Sequence, residues 1–254
     1  MTAHPKVTLV TCKSMPNLFK GEEGLLDELA ARGCDPQIKV WNDPDVDWSE
    51  AGMVVVRSVS DYASDRPAFL EWTKQLRRVQ NSADVLNWNT DKHYLKELAA
   101  LGMPTIPTNW LEPEQNLSKH QIHTRFPAFG EFVVKPAVSS GVRDIGRYTT
   151  VDTRQRQAAM RQVQGLLGEG RSVMIQRYVE EIDLHGEISL VFFNGLVSHA
   201  VEKRSALHPA SVSDPAVHEA VVTAEAADSV AWKWGEEIRR VLHGYVRSRL
   251  GHDE

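Results

Sequence analysis

The first third of the chain alternates short, continuous apolar runs with apolar positions spaced for a helix. The runs at residues 7–11 and 53–56 predict buried strands, because a parallel strand covered on both faces is apolar along its whole length. Strands separated by helical segments predict a parallel sheet with helices on its faces. We therefore expect an α/β domain over residues 1–88.

Two amphipathic helices are predicted within that domain. The first is rich in leucine, carries the acids Glu22 and Glu23 in its first turn and stops at Gly33. The second follows from apolar residues at steps of three and four: Phe69, Trp72, Leu76 and Val79.

The middle of the chain predicts a second unit that mixes helices and strands. Thr90 can cap a helix that runs to Leu101, since a threonine hydroxyl accepts hydrogen bonds from the N–H groups of a first turn. Strands are expected at residues 132–135 and 173–179, with an amphipathic helix between them.

A hairpin is predicted at residues 187–203, because Asn194-Gly195 favours a tight turn between two strands. From residue 214 onward the pattern is helical. We place a small lobe at residues 89–182 and a further lobe at residues 183–254. The predicted fold class is thus α/β followed by α+β.

Composition narrows the function. The 254 residues carry a formal net charge of −5, which gives no electrostatic basis for binding nucleic acid. The two cysteines, Cys12 and Cys34, lack metal-ligand spacing and suit a reducing compartment. Neither a leader-like segment nor a stretch long enough to span a membrane is evident. We expect a soluble, cytoplasmic protein without nucleic-acid or membrane partners.

One segment, E-F-V-V-K-P-A-V-S-S-G at residues 131–141, favours phosphate binding. A strand there would hold Lys135 at a fixed depth, and Ser139, Ser140 and Gly141 would offer backbone N–H groups to phosphate oxygens. Neither a P-loop nor a G-x-G-x-x-G turn is found in the sequence, so phosphate binding would need another device, and lysines projecting from strands are one physical solution. The alternative is a surface charge, which is the commoner role of a single strand lysine.

A second segment, M-I-Q-R-Y-V at residues 174–179, indicates a strand that runs into a hinge. The backbone of such a hinge could meet the edge of a purine. With residues 85–108, which contain W-N-T-D-K and G-M-P-T-I-P-T, these segments resemble the ATP-grasp superfamily. The resemblance is to its glutathione-synthetase-like branch, and within it to the cyclo-ligases that close O-ureidoserine to cycloserine.

The resemblance implies that ATP lies between two lobes and activates a carboxylate as an acyl phosphate for C–N or N–O bond formation. Lys92 and Lys135 would bind the phosphates from opposing elements, under a loop formed by Ser139, Ser140 and Gly141. A role in antibiotic biosynthesis would follow.

The resemblance also assigns the nucleoside and the γ-phosphate. Gln176 would approach the adenine amino group, and the backbones of Arg177 and Val179 would meet its Watson–Crick edge. Tyr178, between them, is counted among the nucleotide-binding residues. The carboxylate of Glu187 would accept hydrogen bonds from the ribose hydroxyls. The resemblance implies that two cations at the end of the hairpin bind the γ-phosphate or the substrate carboxylate. They are Lys203 and Arg204.

The substrate is expected at the carboxyl end of the strand at residues 53–56. Arg57 could pair with a carboxylate, and Asp61 and Tyr62 match the family's D-Y pair. An amino-acid-like small molecule would suit these groups. Ser60 stands where the family often has tryptophan.

Magnesium is implied as the second cofactor, but its ligands are not identified. In ATP-grasp enzymes they lie on two further strands, which we do not find after the hairpin. We therefore expect a truncated C-terminal lobe, either in a shortened piece of a longer protein or in a shortened relative, with weakened nucleotide binding and little catalysis. The alternatives to a ligase are a catalytically impaired nucleotide-binding relative and an α/β interaction protein without nucleotide. Enzymes of this branch are commonly dimers or larger, so a homo-oligomer stays open.

Overall fold

The structure is a computed structural model that describes residues 4–19, 21–22, 24–203, 205, 207 and 229–250. The chain divides into two compact units. The first comprises Met1–Lys92 and Val138–Gly141, and the second comprises His93–Ala137 and Val142–Glu254. The three-part division at residues 88 and 182 stays a prediction.

The first unit contains a parallel sheet of four strands in the order β2-β1-β3-β4. Its strands are β1 (Lys6–Thr11), β2 (Asp35–Val40), β3 (Met53–Ser58) and β4 (Val79–Gln80). β1 pairs with β2 and β3, and five of its six residues are buried. The apolar run at residues 7–11 therefore forms the interior strand that the sequence predicted.

Helices connect these strands: α1 (Gly24–Ala31), α2 (Arg66–Lys74) and α3 (Ala83–Asn89). Two 3-10 helices are found at Trp48–Glu50 and Ser60–Ser64. Glu22 precedes α1 instead of lying in its first turn, because its carboxylate bonds the Ser58 side chain; Glu23 lies outside the described residues.

The second predicted helix is shorter than expected. Asp65 caps α2 by accepting from the Ala68 N–H, and the helix ends at Lys74. Phe69 and Trp72 are buried by it as predicted, but Val79 lies on β4. The prediction failed there because an apolar residue can continue a helical stripe or begin an edge strand, and tertiary pairing decides between them.

Thr90 was also placed wrongly. It is the C-cap residue of α3, and its hydroxyl donates to the Leu86 carbonyl at 2.6 Å. The next helix, α4 (Tyr94–Ala100), begins four residues later. A threonine hydroxyl can accept from a first turn or donate to a last one, so the residue type alone did not decide.

The second unit contains an antiparallel sheet in the order β5-β8-β6-β7. The strands are β5 (Thr108–Leu111), β6 (Glu131–Pro136), β7 (Gly146–Thr149) and β8 (Val173–Arg177). β6 and β8 are central, and Lys135 lies opposite Met174 in their register. A 3-10 helix at Pro113–Gln115 and three α-helices accompany the sheet: α5 (Lys119–His123), α6 (Thr153–Gly168) and α7 (Glu181–His185).

The core of this unit lies between α6 and the sheet. Ala159 and Val163 of α6 are fully buried against Phe132, Val134 and Ile175. The stripe on α6 and the alternation along β6 thus face each other, which fixes the depth at which Lys135 is held.

The predicted hairpin is confirmed as β9 (Glu187–Phe193) and β10 (Leu196–Lys203), with Asn194 and Gly195 both at positive φ. A long helix, α8 (Ser229–Leu250), follows. Part of the predicted helical tail, residues 214–228, lies outside the described residues. Among the described helices, none has the length and hydropathy of a membrane span.

Candidate functional site

Lys135 projects from the central strand β6 and is half-buried. Burial lowers the pKa of its ammonium, while the negative charge of Glu187 acts in the opposite direction. The fold thus brings together a lysine predicted to bind phosphate and a glutamate predicted to bind ribose.

Gly186 sets the position of Glu187. It adopts φ 73° and ψ −165°, a conformation that is essentially restricted to glycine. A Cβ at this position would lie 2.6 Å from the Lys203 carbonyl oxygen. Glu187 and Lys203 face each other at the open end of the hairpin, and both are exposed. Arg204, predicted beside Lys203, lies outside the described residues.

The predicted phosphate loop is held through Ser139. The Lys92 ammonium donates to the Ser139 hydroxyl at 2.7 Å and to its carbonyl at 3.1 Å. The Tyr62 hydroxyl donates to the same carbonyl at 3.1 Å. Ser139 is buried, Ser140 is half-buried, and Gly141 is exposed with φ 60°. Lys92 therefore contacts the loop, a role that its sequence position did not reveal.

Gln176 lies on the buried part of β8. Its amide nitrogen donates to the Thr108 hydroxyl at 2.7 Å. The amide oxygen is the atom of the right type to accept a hydrogen bond from an amino group such as that of adenine. The prediction for Gln176 is thus compatible with its geometry and stays a prediction.

Tyr178 is the most constrained residue of the hinge. Its N–H donates to the Glu131 carbonyl at 2.9 Å, and its hydroxyl donates to the Asp183 carboxylate. The Ser205 hydroxyl lies 3.1 Å away, and the Arg147 guanidinium stacks on the ring at 3.7 Å from its centroid. Burial and the hydrogen bond to Asp183 both raise the pKa of Tyr178.

Arg147 joins these groups. It forms ion pairs with Glu131 and, at 2.8 Å, with Asp183. Burial opposes its charge, but the hydrogen bonds to these two carboxylates raise its pKa. A guanidinium has five donors in a plane and can serve both acids while its face rests on Tyr178.

The other two hinge residues differ in exposure. The Arg177 side chain is exposed and lies over the Phe129 ring, with its guanidinium 4.5 Å from the ring centroid. The Val179 carbonyl accepts from the Ile182 N–H at 3.1 Å as the chain turns into α7.

The substrate-side residues lie at the carboxyl end of β3. The guanidinium of Arg57 pairs with the Glu22 carboxylate. The Ser58 hydroxyl donates to the same carboxylate at 2.5 Å and accepts from the Phe19 N–H at 2.8 Å. Burial alone would raise the pKa of Glu22, but the bonds from Ser58 and Arg57 lower it. Arg57 can thus bind a carboxylate, and here an internal one occupies it.

Asp61 is oriented by the Trp41 indole, which donates to its carboxylate at 2.8 Å. The Ser60 hydroxyl, next to Asp61, lies 3.8 Å from the buried Cys12 thiol. The described residues contain no group of three or more His, Cys, Asp or Glu that could hold a metal ion.

Sequence reasoning missed several residues around these sites. They include Thr108 under Gln176, Trp41 beside Asp61, and the Arg147–Asp183 pair around Tyr178. Arg147 follows the predicted phosphate loop on a four-residue strand, and neither its charge nor its spacing points to a residue 31 positions away.

Comparison with known proteins places this fold. Residues 7–87 match the family model of the N-terminal domain of D-cycloserine synthetase DcsG. The cycloserine biosynthesis protein DcsG of Streptomyces lavendulae is 35% identical over 190 residues, which cover 73% of this chain and 62% of that protein.

Two solved structures extend the likeness. The crystal structure of D-cycloserine synthetase DcsG superposes with a TM-score of 0.78 at 29% identity, covering 97% of this chain and 82% of that one. The D-alanyl-alanine synthetase A of Vibrio cholerae gives a TM-score of 0.64 at 14% identity, with the same coverage, which shows the fold alone.

The chain has the fold of the ATP-grasp ligases, with a parallel sheet in its N-terminal unit, as the sequence predicted. Among proteins of this fold it is similar to cycloserine synthetase in sequence and in structure. The assigned site residues, however, stay predictions.

Proposed function

We propose that this protein is an ATP-dependent ligase that activates the carboxylate of a small amino-acid-like substrate. The observation that carries the proposal is Lys135, a half-buried cation on a central strand that leads into the Ser139–Gly141 loop and is coupled to Glu187. The sequence likeness to the cycloserine biosynthesis protein supports the same reaction class.

In the proposed reaction, a substrate carboxylate oxygen attacks the γ-phosphorus of ATP, and the bond to the ADP oxygen breaks. A nitrogen of the substrate then attacks the acyl carbon, loses a proton and expels phosphate. Lys135 and Lys92 would bind phosphate oxygens through charge-assisted hydrogen bonds. The hinge from Gln176 to Val179 would position adenine, and Glu187 would position ribose.

Arg57 and Asp61 would orient the substrate. An arginine can bind a carboxylate through two parallel hydrogen bonds, and an aspartate can bind an ammonium. In this proposal the substrate displaces Glu22 from Arg57. A cyclo-ligase substrate such as O-ureidoserine carries both groups and a nitrogen nucleophile.

The ATP-grasp reaction uses Mg²⁺ to neutralise the negative charge of the phosphates. The described residues contain no group of three or more His, Cys, Asp or Glu for that ion, so we assign no magnesium ligands. The second candidate function is a relative that binds nucleotide without turning it over. A role in antibiotic biosynthesis is supported by the likeness to the cycloserine biosynthesis protein, and a cytoplasmic location belongs to the same proposal.

The test is release of ADP and phosphate from MgATP with and without O-ureidoserine, alongside calorimetry with MgATP. Substrate-dependent ADP release supports the ligase. Heat of binding without ADP release supports the second candidate, and the absence of both would reject the nucleotide site and favour an interaction protein.

A further inference from the structure

The Tyr62 hydroxyl lies where two predicted sites meet. Tyr62 belongs to the segment expected to bind the amino-acid substrate, yet its hydroxyl donates to the Ser139 carbonyl of the predicted phosphate loop. We propose that Tyr62 is a positioning residue that fixes this loop and links substrate recognition to phosphate binding. The inference rests on the proposed function.

The first support is the way Ser139 is bound. Its carbonyl oxygen accepts from both Tyr62 and Lys92, each at 3.1 Å, and its hydroxyl accepts from Lys92 at 2.7 Å. A carbonyl oxygen has two lone pairs, so both bonds can form together. Ser139 is only 8% exposed, which makes each of these bonds costly to lose.

The second support is that the tyrosine ring itself is held. Tyr62 lies on the 3-10 helix Ser60–Ser64, and its ring packs against Phe69 with centroids 5.7 Å apart. Phe69 is 1% exposed, at the centre of the aromatic core. The adjacent Asp61 is fixed by Trp41 at 2.8 Å. A hydroxyl on a ring held in this way can act as a fixed point for the loop.

Charge explains why a second anchor matters. A phosphate oxygen that reaches Lys92 competes with Ser139 for the ammonium donors, and the anion is the stronger acceptor. The bond from Tyr62 does not involve the ammonium, so it can keep the Ser139 backbone in place while Lys92 turns to the phosphate. Asp61 and Tyr62 lie on the same short 3-10 helix, so a substrate that binds Asp61 would contact the helix that positions the Tyr62 hydroxyl.

The test uses Tyr62→Phe, which removes the hydroxyl and keeps the ring. Hydrogen exchange of the peptide that contains residues 138–141, measured without ligand, reports how tightly the loop is held when the hydroxyl is present or removed. Calorimetry with MgADP reports its effect on the nucleotide. We expect faster exchange in that peptide and a Kd for MgADP raised about fivefold, the usual effect of losing one hydrogen bond.

The matched control is Tyr245→Phe, which also removes a hydroxyl that donates to a partner, here the Glu97 carboxylate on α4. It should leave the exchange of residues 138–141 and the Kd unchanged. Unchanged exchange in Tyr62→Phe, or faster exchange with an unchanged Kd, would overturn the inference. If the wild type binds no nucleotide, the proposed function fails and the functional link fails with it, while the exchange data still test whether the Tyr62 hydroxyl holds the loop.

Discussion

The position of Lys135 in the fold changes the properties of its charge. On an exposed strand its ammonium would be fully hydrated, but on β6 it is half-buried, and burial lowers its pKa. A partly desolvated cation gains more from an incoming phosphate than a hydrated one does, because the effective dielectric is lower.

The first prediction is that Lys135→Ala raises the Kd for MgATP at least tenfold, because a charge-assisted contact is lost. Calorimetry with MgATP measures the change. Lys13→Ala, at an exposed position, should leave the Kd as it is. Equal effects of the two substitutions would show that Lys135 is an ordinary surface charge.

The second prediction follows from the direction of the Lys135 pKa shift. Because its pKa lies below the usual 10.5, the ammonium loses its proton at a lower pH than an exposed lysine does. Phosphate binds the charged form, so affinity for MgATP should fall as the pH rises toward that range. The Lys135→Arg protein should lose less affinity for MgATP at alkaline pH, since arginine stays charged. Titrations between pH 7 and pH 10 compare the two proteins, and parallel curves would contradict the assignment.

For individual residues, the sequence indicated candidate site residues better than it indicated the partners that they contact. Lys135 and Glu187 were both singled out, and the structure couples them. Glu22 was assigned to a helix turn, but its carboxylate binds Arg57, 35 residues away. A contact at that separation leaves no periodic signal, so pattern reasoning could not find it.

Among the elements, the open end of the hairpin β9–β10 depends on Gly186. Gly186 combines a positive φ with a backbone oxygen 2.6 Å from the position of a Cβ. Neither problem can be relieved by turning a flexible side chain, because the close atom belongs to the backbone of Lys203.

The third prediction is that Gly186→Ala lowers the free energy of unfolding by about 2 kcal/mol or more. It should also weaken MgATP binding, because Glu187 is displaced. Urea unfolding and calorimetry measure the two effects. Gly165→Ala is the matched control: it lies within α6 with open space around it and should stabilise by about 1 kcal/mol. Similar stabilities for both variants would contradict the geometry.

The fourth prediction concerns Glu112, which ties the start of α4 to the end of β5. Its carboxylate lies 3.0 Å from the Lys96 ammonium and 3.1 Å from the His93 ring. Burial would raise its pKa, but hydrogen bonds from Ser172, Lys96 and His93 lower it to about 2. The carboxylate therefore stabilises the fold above about pH 4.5, and this contribution is lost as the pH falls toward 2.

At pH 7, Glu112→Gln should lower the free energy of unfolding by up to about 3 kcal/mol. The difference from the wild type should narrow as the pH falls below 4.5. Urea unfolding at pH 7, 4.5 and 3.5 measures it. A difference that is independent of pH would show that the carboxylate charge contributes nothing.

Element prediction succeeded where a pattern was long and local. The 16 residues of α6 and the Asn194-Gly195 hairpin were both found. β5 and β7, with four residues each, were not found, because strands that short show too few alternations to be distinguished from loops.

On the scale of the whole molecule, the net charge does not favour nucleotide binding, so the proposed site depends on a few nearby cations. The chain carries a formal net charge of −5, so its overall field repels a nucleotide triphosphate. The proposed binding of MgATP would then have to come from cations held close to the phosphates, where screening by salt is weaker. The resemblance to ATP-grasp proteins was predictable because its motifs keep their order along the chain. The clamp of Arg147 on Tyr178 was not, because it forms only in the folded unit.

The last prediction is that MgATP stabilises the entire chain. A ligand that binds only the folded state at 100 times its Kd adds about 2.7 kcal/mol to the free energy of unfolding. At the same ATP concentration, a Lys135→Ala protein with tenfold weaker binding should gain only about 1.4 kcal/mol. Urea unfolding with and without MgATP gives both values. If MgATP does not raise the free energy of unfolding of the wild type, the protein does not bind the nucleotide, and a role as an interaction protein is favoured. A full gain in the variant would show that the Lys135 ammonium does not bind the phosphates, because its removal would then cost the complex nothing.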